Sequence, residues 1–130
     1  MEFHLDQRSG LPVYLQIVQQ VKEALRLGLL DVGDQLPTVR EVVAQTAINP
    51  NTVAKAYREL EHEGLVEATP GRGTFVASTL ATPSLRHHEA LRRDLLAWLR
   101  EAQRAGIDEE SIRALVSSTL REELGRRRVA

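Results

Sequence analysis

The stretch from Asn49 to Gly64 constrains this chain more than any other. Asn49 suits a helix N-cap, since its short side chain can accept a hydrogen bond from an otherwise unpaired amide, and Pro50 fits the first helical position, where no N–H is needed. Gly64 offers the left-handed conformation on which helices commonly end. The spacing therefore predicts a helix of about fourteen residues, roughly 21 Å long. Val53, Ala56, Tyr57 and Leu60 fall at i, i+3, i+4 and i+7, which commits one face to a core. The other face opens with Asn51, Thr52 and Lys55, short hydrogen-bonding groups and one cation, on the first turns of a helix whose N-terminus favours anions. Such a face either stands in solvent or meets phosphates and base edges in a DNA major groove.

The flanking segments favour the groove. Upstream, Thr38-Val39-Arg40-Glu41 has the form of a capping box, in which Thr38 and Glu41 satisfy each other's amides. Val39, Val42 and Val43 give the short helix that follows an apolar stripe. A connection of about four residues then joins it to the central helix, which makes a helix-turn-helix. Downstream, Leu65–Thr69 and Thr74–Ala77 are strand-like runs around Pro70-Gly71-Arg72-Gly73. The glycines allow a turn with positive φ that holds the Arg72 guanidinium in solvent. Two helices followed by a hairpin form a winged helix-turn-helix.

Leu36-Pro37-Thr38-Val39-Arg40-Glu41, Asn49-Pro50-Asn51-Thr52-Val53, Ala56-Tyr57, Leu60-Glu61, Gly64-Leu65 and Gly71-Arg72-Gly73-Thr74-Phe75-Val76 together resemble the N-terminal DNA-binding domain of GntR-family transcriptional regulators. The resemblance extends from Leu11 to Ser78, with its motifs in order and correctly spaced. It implies a DNA-binding surface of Thr38, Arg40, Asn49, Pro50, Asn51, Thr52, Lys55, Arg72 and Gly73. In that surface Arg40 takes guanine or phosphate, Lys55 a phosphate, and Arg72 the minor groove or backbone. Two positions depart from the usual pattern: Val42-Val43 replaces a common Leu-Ala, and Ala47 stands in the interhelical turn where the family often has glycine. Ala47 leads us to expect a less strained turn.

Charge gives no support to indiscriminate DNA coating. Residues 1–80 hold seven Lys/Arg against ten Asp/Glu, a net of −3, and residues 81–130 hold ten against eight, a net of +2. Cations must then act by position, with Glu23, Asp31, Glu61 and Glu63 turned away from DNA, and binding must rely on paired copies. Cysteine is absent, which rules out disulfides and thiolate sites. Met1–Gly10 has no signal-peptide core, and no apolar run reaches the ~20 residues of a membrane span. A cytoplasmic protein without membrane contact is expected.

Tyr14, Ile17, Val18, Val21 and Leu25 recur at helical spacing behind Pro12, with Gly28 as terminator, so a first helix packs by that stripe, Tyr14 included. Leu30–Asp34 reads as a turn. The expected winged domain is 1–78, with a linker at 79–84 around Pro83 and a helical dimerisation region at 85–130. There Leu91, Leu95, Trp98 and Leu99 mark one amphipathic helix, and Ile112, Leu115, Val116 and Leu120 a second that Asp108 can cap, joined through Gly106. This antiparallel hairpin has too little material to enclose a core; its stripes are covered either by the chain's own winged domain or by a second copy, and the two long stripes with Trp98 favour a twofold dimer. The short tail resembles the YtrA-like subgroup of the family, which implies a homodimeric repressor on an inverted repeat, governing an ABC-transporter operon and its own gene. Arg126-Arg127-Arg128 reads as an unstructured basic end.

Nothing in the sequence assembles a catalytic set. Ser111, Ser117 and Ser118 lack a neighbouring His–acid pair, and Gly71-Arg72-Gly73 is too short to cradle a nucleotide. The adjacent His87 and His88 point about 100° apart on a helix and make no metal site. The reading is therefore a sequence-specific regulator with no enzyme activity, cofactor or metal and with an unidentified effector. Two alternatives stay open, a winged-helix protein-interaction adaptor and a nonspecific architectural DNA binder.

Overall fold

Helix α1 (Val13–Arg26) buries Ile17, Val18, Val21, Ala24 and Leu25 along one stripe. Helices α2 (Val39–Thr46) and α3 (Pro50–His62) follow, then the antiparallel strands β1 (Val66–Thr69) and β2 (Gly73–Val76), paired Val66 to Val76 and Thr69 to Gly73. Helices α4 (His88–Arg104) and α5 (Glu109–Val129) complete the chain. The computed structural model describes residues 1–82 and 88–129, so Pro83 and Ser84 of the expected linker, and His87, lie outside the described residues. Two compact units result, Met1–Arg86 and His87–Ala130. The protein is mostly α with a small β-hairpin, a winged helix-turn-helix followed by helices.

The core of the first unit forms where α1, α2 and α3 meet the inner side of the hairpin. Ile17, Val21, Leu25, Val42, Val53 and Leu60 are fully buried within it, and each such side chain contributes about 1.5–3 kcal/mol by leaving water. In α3 the buried set is Val53, Ala56, Tyr57 and Leu60, the stripe its spacing dictates. Gly64 (φ 77°) ends this helix with its amide on the Glu61 carbonyl and that of Leu65 on Leu60, so Leu65 folds back onto the core.

Several details differ from expectation. The α2–α3 connection is Ala47-Ile48-Asn49, and Ala47 keeps the left-handed conformation (φ 56°, ψ 25°) instead of relaxing out of it. The turn needs that residue to cap α2, its amide donating to the Val43 carbonyl, while buried Ile48 anchors the chain immediately beyond. The left-handed backbone costs an L-residue about 1–2 kcal/mol, partly offset in comparison with glycine by the lower entropy of the unfolded chain. Ala47→Gly is expected to stabilise the protein by about 0.5–1 kcal/mol, read as a raised thermal midpoint; a lowered midpoint would show that the turn is unstrained.

The capping box is only half formed. Thr38 Oγ1 accepts from the Glu41 amide, but the Glu41 carboxylate accepts from the Thr38 hydroxyl instead of reaching the Thr38 amide. The N-terminal segment is ordered against the core, with Phe3 buried in it. Two glutamines of α1 serve as a strand for it: the Gln20 carboxamide bonds both backbone groups of His4, and that of Gln16 bonds both of Asp6 and also the Leu11 carbonyl. The expected turn at Leu30–Asp34 is present, the Asp34 amide donating to the Asp31 carbonyl, and just beyond it the chain touches the hairpin through an isolated bridge. Gln35 bridges Phe75, and the Leu36 amide donates to the Thr74 carbonyl.

In the second unit Gly106 (φ 82°) closes α4, with the Ile107 amide on the Ala102 carbonyl, and Asp108 caps α5 by accepting from the Ser111 amide. Hydrogen bonding to the Ser111 hydroxyl, and then to its amide, holds the Asp108 carboxyl below its ordinary pKa. The helices are not sealed against each other. A cleft of about 720 Å³ opens between them, lined by Leu95, Leu99, Ile107, Ile112 and Val116, and a second hollow of about 320 Å³ is lined by Trp98, Leu115 and Leu120. Leu91 is 70% exposed and Leu120 52%. Ala102 is the one buried hydrophobic residue among those described in this unit. Helix α5 continues through Arg126 and Arg127 to Val129, where an unstructured end was expected. Cations there oppose the negative end of the helix dipole.

Candidate nucleic-acid interface

Two helix starts and one hairpin tip carry the nine residues singled out from the sequence. Asn49 caps α3, its Oδ1 accepting from the Asn51 amide, and Pro50 occupies the first turn. At about 100° per residue, Asn51, Lys55, Arg58 and His62 then form one stripe, opposite Val53, Ala56 and Leu60. All four are exposed, and Thr52, beside them, is half-buried. On α2, Thr38 is occupied as the cap, whereas Arg40, in the first turn, is exposed. Among the described residues the guanidiniums of Arg40 and Arg72 form no ion pair or hydrogen bond.

A hydroxyl on α3 ties down the chain just before α2, in addition to the core packing of the two helices. Tyr57, on the core face of α3, donates from its hydroxyl to the Pro37 carbonyl at 2.6 Å, which pins the residue just before the Thr38 cap. Arg40 is thereby held relative to the α3 stripe. Burial, and then the Glu41 carboxylate, push the Tyr57 phenol above its ordinary pKa. The folded state thus holds this proton more tightly than the unfolded chain, which releases it near pH 10. The stability it contributes is fully present below about pH 10 and is lost as pH rises further. Tyr57→Phe is expected to lower stability by about 1 kcal/mol at neutral pH and to flatten the alkaline decline. Urea unfolding at neutral and alkaline pH measures both; an unchanged alkaline slope would contradict the assignment.

The wing is built on a Thr69–Arg72 turn, with the Arg72 amide donating to the Thr69 carbonyl and with Pro70 and Gly71 (φ 76°) at its centre. Arg72 leaves this turn exposed. Gly73 has a role that sequence reading missed: its missing side chain lets Gln35 cross the hairpin. Gln35 Nε2 donates to the Arg72 carbonyl at 3.2 Å, and a Cβ at position 73 would lie 2.5 Å from that nitrogen. Gln35 carries no periodic signal, so only its pairing with Phe75 reveals it. Two acids expected to turn away are used in bracing: Glu61 accepts from the Ala68 amide, and Glu63 pairs with Lys22 at 2.8 Å. Lys55 does not stand free, for its ammonium lies over the Tyr14 ring. Tyr14 packs against the core, as expected, but is only half-buried there.

Among the described residues no group of three or more His, Asp or Glu is placed to hold a metal ion, and no helix is long and apolar enough to cross a membrane.

Residues 13–76 match the family profile described as bacterial regulatory proteins, gntR family. The chain is 40% identical over 109 residues to the HTH-type transcriptional repressor YtrA of Bacillus subtilis (strain 168), covering 83% of this chain and 84% of that protein. Its fold is similar to that of YtrA from Sulfolobus acidocaldarius, a GntR-family transcription factor, with a TM-score of 0.54 at 26% identity over 92% of this chain and 97% of that one. It is also similar to the DNA-binding domain of AraR in complex with operator ORX1, with a TM-score of 0.54 at 26% identity over 59% of this chain and 99% of that one. With a winged helix-turn-helix, a matching family profile and this coverage of a repressor's length, the chain belongs to the GntR family and is a DNA-binding transcriptional regulator, not an enzyme.

Proposed function

We propose that the protein is a homodimeric repressor that binds an inverted-repeat operator. Two copies of α3 enter successive major grooves, with half-sites about one helical turn or a small multiple apart. The observation that carries this reading is the exposed polar stripe of α3, together with an exposed guanidinium on the adjoining α2, Arg40, that has no partner among the described residues. In this reading Arg40 takes guanine or phosphate, and Asn51 and Thr52 reach the DNA backbone or bases. Lys55 takes a phosphate, Arg72 the minor groove or backbone, and Thr38, Asn49, Pro50 and Gly73 shape the surface. The tail supplies the dimer: Leu91, Leu95, Trp98, Leu99, Ile112, Leu115, Val116 and Leu120 line or flank clefts that a single chain leaves open, and matching helices of a second copy cover them. The likeness to the Bacillus subtilis repressor supports repression, and the subgroup resemblance supports control of an ABC-transporter operon and of its own gene. An effector, if one acts, binds at the seam between copies and changes the separation of the reading heads.

Anisotropy titrations at physiological salt test the reading, using the inverted repeat upstream of its own gene against a scrambled duplex. The expected preference is about 10³-fold or more. A ratio near one would favour an architectural binder, and no binding to either duplex an adaptor.

A further inference from the structure

The ammonium of Lys55 lies 4.0 Å from the centroid of the Tyr14 ring, well inside the roughly 6 Å over which an aromatic face attracts a cation. Tyr14 belongs to the first turn of α1 and Lys55 to the second turn of α3, helices that pack together along the core. Tyr14 is partly packed against that core and partly exposed. Its ring therefore has a fixed base and an open surface. An exposed lysine ordinarily samples many rotamers, and a phosphate contact must restrict them. Resting one side of the ammonium on a fixed ring removes part of that freedom before DNA arrives, while the remaining N–H donors stay open. Among the described residues Lys55 has no carboxylate partner to compete with a phosphate.

We propose that Tyr14 is a positioning residue for DNA binding, its ring holding the Lys55 ammonium where a backbone phosphate is taken. The proposal rests on the reading of Lys55 as a phosphate contact. It assigns α1 a part in recognition that neither its apolar stripe nor its distance in sequence from the helix-turn-helix discloses. Phenylalanine preserves the ring face and leucine removes it, so the two substitutions separate the ring from simple bulk.

The test is a double-mutant cycle on Tyr14→Leu and Lys55→Ala, with Tyr14→Phe as the conservative variant. The probe is a short mixed-sequence duplex titrated between about 50 and 200 mM salt, because a phosphate contact is blind to sequence. Lys55→Ala is expected to weaken binding and to reduce the salt slope by about one. Tyr14→Leu should weaken binding about two- to fivefold in the wild-type background and have no further effect beside Lys55→Ala. Tyr14→Phe should bind as wild type. Equal losses from Tyr14→Leu in both backgrounds would overturn the positioning role while leaving Lys55 a phosphate contact. An unchanged slope in Lys55→Ala would overturn the contact and the proposal with it. Should Tyr14→Leu fail to fold, the ring current answers independently. In the wild type the Lys55 ε-methylene protons are expected upfield of those of other lysines, and resonances at ordinary positions would refute the contact.

Discussion

Leu95→Glu combined with Leu120→Glu is expected to yield a folded monomer that binds the operator about 10²–10⁴-fold more weakly than the wild type. Both leucines flank the open clefts of the tail and both are 52% exposed in the single chain. A carboxylate at either position costs the monomer little. In a dimer it would be desolvated against apolar residues of the second copy, a penalty of several kcal/mol per charge. The affinity loss follows because joining two reading heads makes the second binding event intramolecular, which by itself raises affinity about 10²–10⁴-fold without any new contact. Sedimentation gives the oligomeric state, operator titration the affinity, and circular dichroism confirms retained helix. A variant that stayed dimeric would place the interface elsewhere.

Arg40→Ala is expected to lose about 1–3 kcal/mol of operator affinity and to relax sequence preference if its fork reads guanine. The thermal midpoint should move little, because Arg40 is exposed and its guanidinium has no internal partner among the described residues. This combination separates recognition from folding: a stability loss with unchanged binding would make Arg40 an ordinary helix residue. Should affinity fall equally on all duplexes, with a smaller salt slope, the contact is to phosphate alone.

What the sequence disclosed follows from how local each signal is. Asn49, Pro50 and Gly64 bracket α3 by short-range backbone chemistry, and its apolar spacing fixes which face turns inward, so the buried set is Val53, Ala56, Tyr57 and Leu60. The helix-turn-helix, the wing and the two tail helices were legible for the same reason. Details that depend on partners distant in sequence were not. Gln16 and Gln20 hold the backbone of residues 4 and 6, Gln35 braces the wing across Gly73, and Tyr57 reaches back to Pro37. No periodicity marks such bonds, because each involves a single side chain and a carbonyl that only the fold brings near. Ala47 shows the reverse failure. Its side chain argued for a relaxed turn, but the need to cap α2 and to bury Ile48 kept the backbone left-handed. Tyr14 failed by degree, since a helical stripe tells which direction a residue faces but not how deeply its end is covered.

The candidate site was legible as a set of residue types, and less so as a mechanism. Thr38 and Asn49 prove to be occupied as caps, which leaves Arg40, Asn51, Lys55 and Arg72 as the polar groups whose side chains are exposed. Net charge could not point to them, because it sums acids wherever they stand, including Glu61 and Glu63, which brace the fold.

Sedimentation velocity at micromolar protein, alone and with the inverted repeat found upstream of its own gene, tests the central claim most directly. Paired reading heads held by the tail helices predict a dimer in solution and a complex of two chains per duplex that forms poorly on scrambled DNA. A monomer that stays single on DNA, or binds both duplexes alike, would contradict the account.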